Sequence, residues 1–520
     1  MAGRFVSIVV LMLLGASAPL CAQGAGSPTK PLSFASVTTS PGSSHTCGLT
    51  SAGSAYCWGS NDYGQLGTGT TDDATTPTAV AGGLTFAKVS VGSQHTCAIT
   101  TGGAAYCWGY IGGLETNQCP GPQCATSPVA LEGGLKFASL SSGKAYTCAV
   151  TAAGTAYCWG SHDSDELGVG TLCDDNPAKC APLAPAPVAG RLKFATVSAG
   201  PDHACGLTTT GRAYCWGSDA SGKLGVGSVE TPCSNPLFSC SMSPVPVAGV
   251  LRFASVSAGA ATTCGVTTAG AAYCWGSNAS GQVGGQTTQG CTGIMTGRTP
   301  CAWSPVAVSG GLKFATVIAS GDHTCGLTTN GTLYCWGDVA DLGAPATTRC
   351  SRGMCAAAPV ALPVGGLKFA NLSVASGHIC GIVTTGAAYC WGMNRSGQLG
   401  NGTTDDSDHP TLISGLNSTC DQFGVAYNQD NACFDTRPIP LTPTFIPVPA
   451  DAPVTPRPAI LLLRVSRDGR TLEALVYGPS NVQTFNAQAL DMARALRWLP
   501  AQKNGAPVEA WIMWRFEPTR

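Results

Sequence analysis

The sequence predicts a mainly β chain: a seven-bladed β-propeller closed by its N- and C-terminal strands, then a Pro-rich linker and a small α+β domain of ββαβ order. Three observations predict it. A segment His45-Thr-Cys-Gly-Leu-Thr50 that ends ten residues on at Tyr56-Cys57-Trp58-Gly59 occurs in seven copies, with first cysteines 50 to 61 residues apart. That step is the period of propeller blades, and a unit this small cannot bury its apolar face alone. Between copies, runs such as Phe194-Ala-Thr-Val-Ser198, His203–Thr208 and Ala213–Gly217 are rich in strand-forming residues and separated by Gly-containing turns, as in an antiparallel meander. Finally, the first unit begins at Phe34 with no Pro-x-x-Val run before it, while His409-Pro-Thr-Leu-Ile413 follows the seventh. The far end is therefore expected to supply the missing strand and leave no free blade edge.

Residues 1–22 read as an export signal. Arg4 gives a minimal positive region, Phe5–Leu14 an apolar core, and Leu20-Cys21-Ala22 before Gln23 a cleavage site. As an uncleaved anchor, Phe5–Ala22 would be short for a membrane span. The expected location is the periplasm or the extracellular medium.

Cysteine spacing agrees with an oxidising compartment. Outside the signal segment 26 cysteines remain, and all have near neighbours. Seven pairs belong to the hairpins: Cys47 with Cys57, Cys97 with Cys107, Cys148 with Cys158, Cys205 with Cys215, Cys264 with Cys274, Cys325 with Cys335, and Cys380 with Cys390. Five fall in the connectors after blades two to six: Cys119 with Cys124, Cys173 with Cys180, Cys233 with Cys240, Cys291 with Cys301, and Cys350 with Cys355. The last is Cys420 with Cys433, in a connector expected over 417–436. Local, even pairing is the pattern of a secreted disulfide framework. Each cross-strand bond is expected to contribute at most roughly 2–3 kcal/mol.

Beyond the propeller, assigned to 32–416, eight prolines crowd residues 437–458. Such a stretch predicts an extended spacer of roughly 60 Å. In 459–520, Ile460–Val465 and Leu472–Tyr477 flank the turn Arg467-Asp-Gly-Arg470, predicting a hairpin. Phe485, Ala489, Ala493 and Leu496 recur at helical spacing, predicting a helix over 486–497 that Pro500 stops. Val508, Ala510, Ile512, Trp514 and Phe516 alternate as one face of a strand.

Formal net charge is −1, and residues 31–419 hold 15 Lys/Arg against 19 Asp/Glu. A nucleic-acid partner would need a concentrated basic field, so none is expected. His45, His95, His203, His323 and His378 share one repeat position, where Tyr146 and Thr262 stand in two units. Neither substitute preserves a general base, so the position is read as structural. The pairs Cys119 with Cys124 and Cys350 with Cys355 approach zinc spacing without a second ligand pair. Pairs such as Asp72-Asp73, Asp174-Asp175 and Asp405-Asp406 read as solvated turns rather than calcium sites. No nucleophile elbow, zinc-protease or phosphate-loop motif occurs. No catalytic residue, metal or cofactor is therefore assigned.

The units Gly92-Ser-Gln-His-Thr-Cys-Ala-Ile-Thr100 and Tyr56-Cys-Trp-Gly-Ser-Asn-Asp-Tyr-Gly-Gln-Leu-Gly67 resemble regulator-of-chromosome-condensation repeats, in the paired-cysteine form of secreted bacterial members. The resemblance covers about residues 32–416 and implies seven blades. The tail resembles the C-terminal domain of TonB-family proteins through Asp468-Gly-Arg470, Pro500-Ala501, Lys503-Asn-Gly505, Pro507-Val508 and Trp511. Phe485-Asn486 stands where Leu-Asp is usual, and the family's leading Tyr-Pro segment is absent. This second resemblance implies a Gram-negative envelope and a periplasm-facing domain.

These readings converge on a non-enzymatic, cell-envelope or secreted binding or scaffold protein. Stapled connectors lose less entropy on binding, so the rim is expected to recognise a protein or envelope macromolecule. Candidate contacts are Phe238, Met295, Arg298, Trp303, Arg349 and Arg352. Membrane contact would come only through an uncleaved anchor or an outer-membrane receptor. The competing readings are a secreted enzyme inhibitor and a lyase or hydrolase working in the propeller funnel.

Overall fold

The computed structural model describes residues 33–110, 124–160, 165–170, 184–227, 239–287, 289–293, 297–344, 348–351, 353–384, 386–413, 426–427, 439–441, 445–447, 458–478, 480, 482–503, 506–508 and 510–519. Residues 1–22, the expected export signal, lie outside them, and so do the expected pairs Cys173 with Cys180 and Cys420 with Cys433.

Seven antiparallel sheets form the propeller. In the first, β1 (Phe34–Thr38), β2 (His45–Thr50), β3 (Ala55–Gly59) and β4 (Ala74–Ala79) lie in chain order. Cys47 faces Cys57 directly across β2 and β3, with Cα atoms 4.1 Å apart and the sulfurs bonded. The other six hairpins repeat this bond as expected: Cys97 with Cys107, Cys148 with Cys158, Cys205 with Cys215, Cys264 with Cys274, Cys325 with Cys335, and Cys380 with Cys390. Phe34 leans on Trp58 and meets Tyr56 edge-on. In blade one that ring needs room below it: a Cβ on Gly48 would come 2.5 Å from the Phe34 ring. The β1 strands of successive blades touch around the axis. There Ser90, Ser141, Ser198, Ser257 and Ser373 hydroxyls accept from the next blade's Ser142, Ala199, Ala258, Ala319 and Thr39 backbone N–H at 2.9–3.1 Å.

The Pro-x-x-Val run does not open a blade as the repeat order suggests. β4 carries Pro77 and pairs backwards with β3, Tyr56 opposite Ala79. At the far end Ser407–Leu412 likewise joins Ala388–Gly392 in its own blade, with Tyr389 opposite Leu412. Each blade is therefore continuous in sequence. The terminal strands still close the ring, but by face packing: Phe34, Val37 and Trp58 share one cluster with Ile382, Leu399 and Ile413.

The tail has the expected order. Ala459–Val465 lies between Thr471–Gly478 and Ala510–Thr519 in one sheet. Helix α1 (Gln483–Ala495) buries Phe485, Ala489 and Ala493 in the core formed with Leu461, Leu463 and Phe516. It ends where Leu496 turns extended, two residues short of the expected end. The Pro-rich stretch is not a free spacer where it is described. Ile439–Pro440 pairs with Trp498–Leu499, and Phe445–Pro447 runs parallel to Glu517–Thr519. Proline lacks a donor but keeps its carbonyl, so short edge pairings tolerate it. Ala426–Tyr427 joins the same sheet beside Trp511–Ile512. Among the described residues no helix is long and apolar enough to cross a membrane.

Trp58, Trp108, Trp216, Trp275, Trp336 and Trp391 are fully buried between blades. Trp275→Ala is expected to lose about 3–5 kcal/mol of unfolding free energy, read as a lower midpoint in urea denaturation.

Candidate functional site

The blade junctions come first, because they decide which polar groups are free for function. Gly67, Gly225, Gly284 and Gly400 sit against Trp108, Trp275, Trp336 and Trp58 of the next blade. The carbonyl two residues before the glycine then accepts from that blade. Lys223 O takes Thr263 Oγ1 at 2.8 Å and Trp275 Nε1 at 2.9 Å. Gln282 O takes Thr324 and Trp336, and Gln398 O takes Thr46 and Trp58 across the seam that closes the ring.

The repeated histidines complete these junctions. His45, His203 and His378 place Nε2 at 2.8–2.9 Å from Thr96, Thr263 and Thr46 Oγ1. Each of those hydroxyls already donates its one proton to a carbonyl, so each imidazole must donate through Nε2–H. Burial in turn favours the neutral form of each of these rings. Burial lowers His45 to about 3, with His95 and His378 adding repulsion, and lowers His95 and His378 to about 4. The two departures are local solutions. Ala204 offers no hydroxyl to blade three, and there Tyr146 donates instead to the His203 carbonyl at 2.7 Å. Thr262 donates within its own blade to Ser277 O.

Blade four carries a charged set that sequence reading missed. Lys223, buried, holds Asp202 at 2.6 Å and lies where other units have glutamine. Burial pushes the Asp202 carboxyl up, but Lys223 and His203 outweigh it and hold the group well below the usual range. Burial raises Asp219 to about 6. Its Oδ2 has no hydrogen-bond partner, whereas the equivalent Asn61 and Asn394 donate to their connectors. Among the described residues no three His, Cys, Asp or Glu side chains are arranged to hold a metal.

The rim connectors supply the open site. Gln289–Gly293 and Gly297–Ala307 form a hairpin carrying the Cys291–Cys301 bond, and Thr348–Cys350 pairs with Gly353–Ala361 under the Cys350–Cys355 bond. Cys124 and Cys240 are also disulfide-bonded, while Cys119 and Cys233 lie outside the described residues. Between the blade-five and blade-six connectors lies a groove of about 650 Å³, lined in part by Asn278, Gly281, Gln286, Thr287, Arg349 and Ala357. Ser351 N–H donates to Ala279 O at 3.0 Å and fixes the blade-six loop against blade five.

Of the predicted contact residues, exposed Arg349 enters this groove. Trp303 does not: it is half-buried, packs over Gly222 and accepts from Gly227 N–H through its carbonyl. It joins blades four and five. Phe238, Met295 and Arg352 lie outside the described residues, as does the Arg298 side chain. Ala357 and Gln286 were not singled out by sequence, although aligning the outer strands on their prolines would have exposed both.

Models of the regulator of chromosome condensation repeat match residues 52–99, 210–266 and 385–426, and, in a second version, 36–65, 194–223, 253–282 and 316–338. The Gram-negative bacterial TonB protein C-terminal model matches 458–518. The human E3 ubiquitin-protein ligase HERC2 is 26% identical over 341 residues, 61% of this chain and 6% of that protein. The ultraviolet-B receptor UVR8 of Arabidopsis thaliana is 26% identical over 299 residues, 55% of this chain and 59% of the receptor. Among solved structures, yeast RCC1 (Prp20) bound to Kap60 has a TM-score of 0.57 at 21% identity, covering 70% of this chain and 83% of that one. Human WBSCR16 has a TM-score of 0.56 at 16% identity, covering 69% and 94%. These structural likenesses speak to the fold.

The buried histidines set a pH dependence. Folded, they take a proton only near pH 3–4; unfolded, near the ordinary 6.5. Between these values the unfolded chain binds the extra protons. Stability is therefore fully present above pH 6.5 and falls as pH drops towards 4, by up to about 1.4 kcal/mol per pH unit for each histidine. Urea titrations across this window are expected to show the fall, and His45→Gln to lessen its slope.

Proposed function

We propose that this chain, which carries regulator-of-chromosome-condensation repeats on a seven-bladed propeller and a TonB-protein C-terminal domain on its tail, works by binding rather than by catalysis. It is an exported cell-envelope or secreted scaffold protein whose rim connectors recognise a macromolecular partner and whose tail docks in the periplasm. Residues 1–22 serve as signal, 32–416 as propeller, 417–436 as stapled connector, 437–458 as Pro-rich linker and 459–520 as docking domain.

The observation that carries this reading is the groove between two disulfide-stapled connectors, the blade-six one tied to blade five by the Ser351 N–H to Ala279 carbonyl hydrogen bond. A site ordered before its ligand arrives loses little entropy on binding. The repeat histidines support it from the other side, since they are buried, neutral and used up in the junctions. Yeast Prp20 was solved with Kap60 bound and described with its binding to Gsp1p and histones, so a protein partner is the natural class here as well. The ligase activity in HERC2's name is not carried over, because this chain spans 6% of that protein.

The experiment is affinity capture from a Gram-negative envelope extract with the full chain, beside a variant in which the connectors bearing Cys233 with Cys240 and Cys291 with Cys301 are replaced by the short blade-one connector. Capture of a defined partner by the native chain and its loss in the variant are expected. Equal capture by both, or substrate turnover without capture, would contradict the proposal.

A further inference from the structure

The outer strands can be aligned on the proline each contains. Two residues before that proline stand Thr75, Thr126, Met242, Trp303 and Ala357 in blades one, two, four, five and six. In four of these blades the carbonyl at this position accepts from a connector glycine of the preceding blade: Gly402 to Thr75, Gly69 to Thr126, Gly170 to Met242 and Gly227 to Trp303, at 2.7–2.9 Å. All four glycines have positive φ, from 79° to 99°, a conformation that other residues adopt only with strain. The bond seals the outer edge of the junction.

Between blades five and six that seal is missing. Gln286 stands where the glycine is required, its φ is not positive, and no bond joins its N–H to the Ala357 carbonyl. The large side chain is missing as well. At the preceding junction the Trp303 indole lies over Gly222, where a Cβ would come 2.8 Å from its Cε3. The equivalent Gly281 meets the Ala357 backbone and the Cys350 sulfur, and Ala357 has a methyl group where Trp303 has its indole. The 650 Å³ groove thus occupies the place that an indole fills one blade earlier.

The surroundings add a charge. Among the described residues that line the groove, Arg349 is the one ionisable side chain and none is acidic; Arg349 is exposed. Met354, 55% exposed, faces Arg349 across the hairpin. We infer that the seam between blades five and six is a seat for an aromatic side chain from a partner protein, carried on an acidic segment whose carboxylate pairs with Arg349. The partner's ring takes the position Trp303 takes for blade five, against Ala357 and the Cys350 sulfur, a soft contact that suits an aromatic face. Asn278 and Thr287 offer polar contacts at its edge. This deepens, and rests on, the reading of the rim as a binding surface.

The test uses the full chain and a capped Asp-Trp-Asp peptide, titrated by calorimetry beside Asp-Ala-Asp and Lys-Trp-Lys. Saturable binding of the first, and about tenfold weaker binding of both controls, are expected. Ala357→Trp fills the seat from within, as Trp303 does natively, and is expected to abolish binding. Arg349→Glu, a surface change that leaves the fold alone, is expected to weaken it about tenfold. Absence of saturable binding, or binding that both variants retain, overturns the seat. A dimer of the native chain that Ala357→Trp dissolves would give the seat to a second copy and also overturn the acidic-peptide assignment. Connector-dependent capture from envelope extract is measured on the same variants. If it survives while the peptide fails, the seat is wrong and the binding reading stands; if both fail in the native chain, both are wrong.

Discussion

A backbone carbonyl that recurs at the blade junctions ties neighbouring blades of this ring together. It sits two residues before the glycine that closes the connector turn. After blades four, five and seven the next blade reaches it with both an indole N–H and a threonine hydroxyl, after blade one with the hydroxyl alone, and after blade three with the indole alone. Because the acceptor is main chain, the residue bearing it is free to vary, and Gln65, Glu166, Lys223, Gln282 and Gln398 all occupy the position. The hydroxyl's oxygen then accepts from the preceding blade's histidine. The histidine's proton, tautomer and burial follow from that single geometry. The final junction uses the same parts, with Gln398 receiving Trp58 and Thr46, so closure adds no new device.

Where a junction lacks a part, the consequences are local. Blade six has no glycine–glutamine pair in its turn, and Trp391 in the next blade is left with an indole N–H that finds no acceptor. Blade four carries Lys223 and balances it with Asp202. A buried pair of this kind offsets its own desolvation more than it adds stability. Blade five replaces a left-handed glycine by Gln286, and its seam with blade six stays open. Function on such a scaffold is expected at the irregular junctions, since the regular ones have spent their polar groups on each other.

Much of the fold was legible in the residues. Seven copies of one hairpin set the number of blades, and Cys47 and Cys57 could be paired because parity put them on one face. The helix could be placed from Phe485, Ala489 and Ala493. The membership of the Pro-x-x-Val strand could not. In a continuous meander such a run is flanked by one hairpin before it and another after it, and both pairings satisfy the same pattern. Nor could the sequence tell that Ile439–Pro440 and Phe445–Pro447 lie along the tail domain, because proline content describes a chain's stiffness and says nothing of what its carbonyls meet. Trp303 read as a partner anchor because it stood out in composition; in space it is a filler between blades. The groove was hidden for the opposite reason. It is made by a small residue, Ala357, and by the absence of a glycine, and neither is conspicuous until equivalent positions are superposed.

The junction geometry can be tested at its most specific point by recording long-range nitrogen–proton correlations of the imidazole rings in the native chain. The account requires His45, His203 and His378 to carry their proton on Nε2 at neutral pH, and His45 and His378 to keep the same neutral form down to about pH 5. Rings protonated on Nδ1, or rings that titrate near the ordinary histidine value, would show that the hydroxyl–carbonyl relay between blades is not what holds the ring.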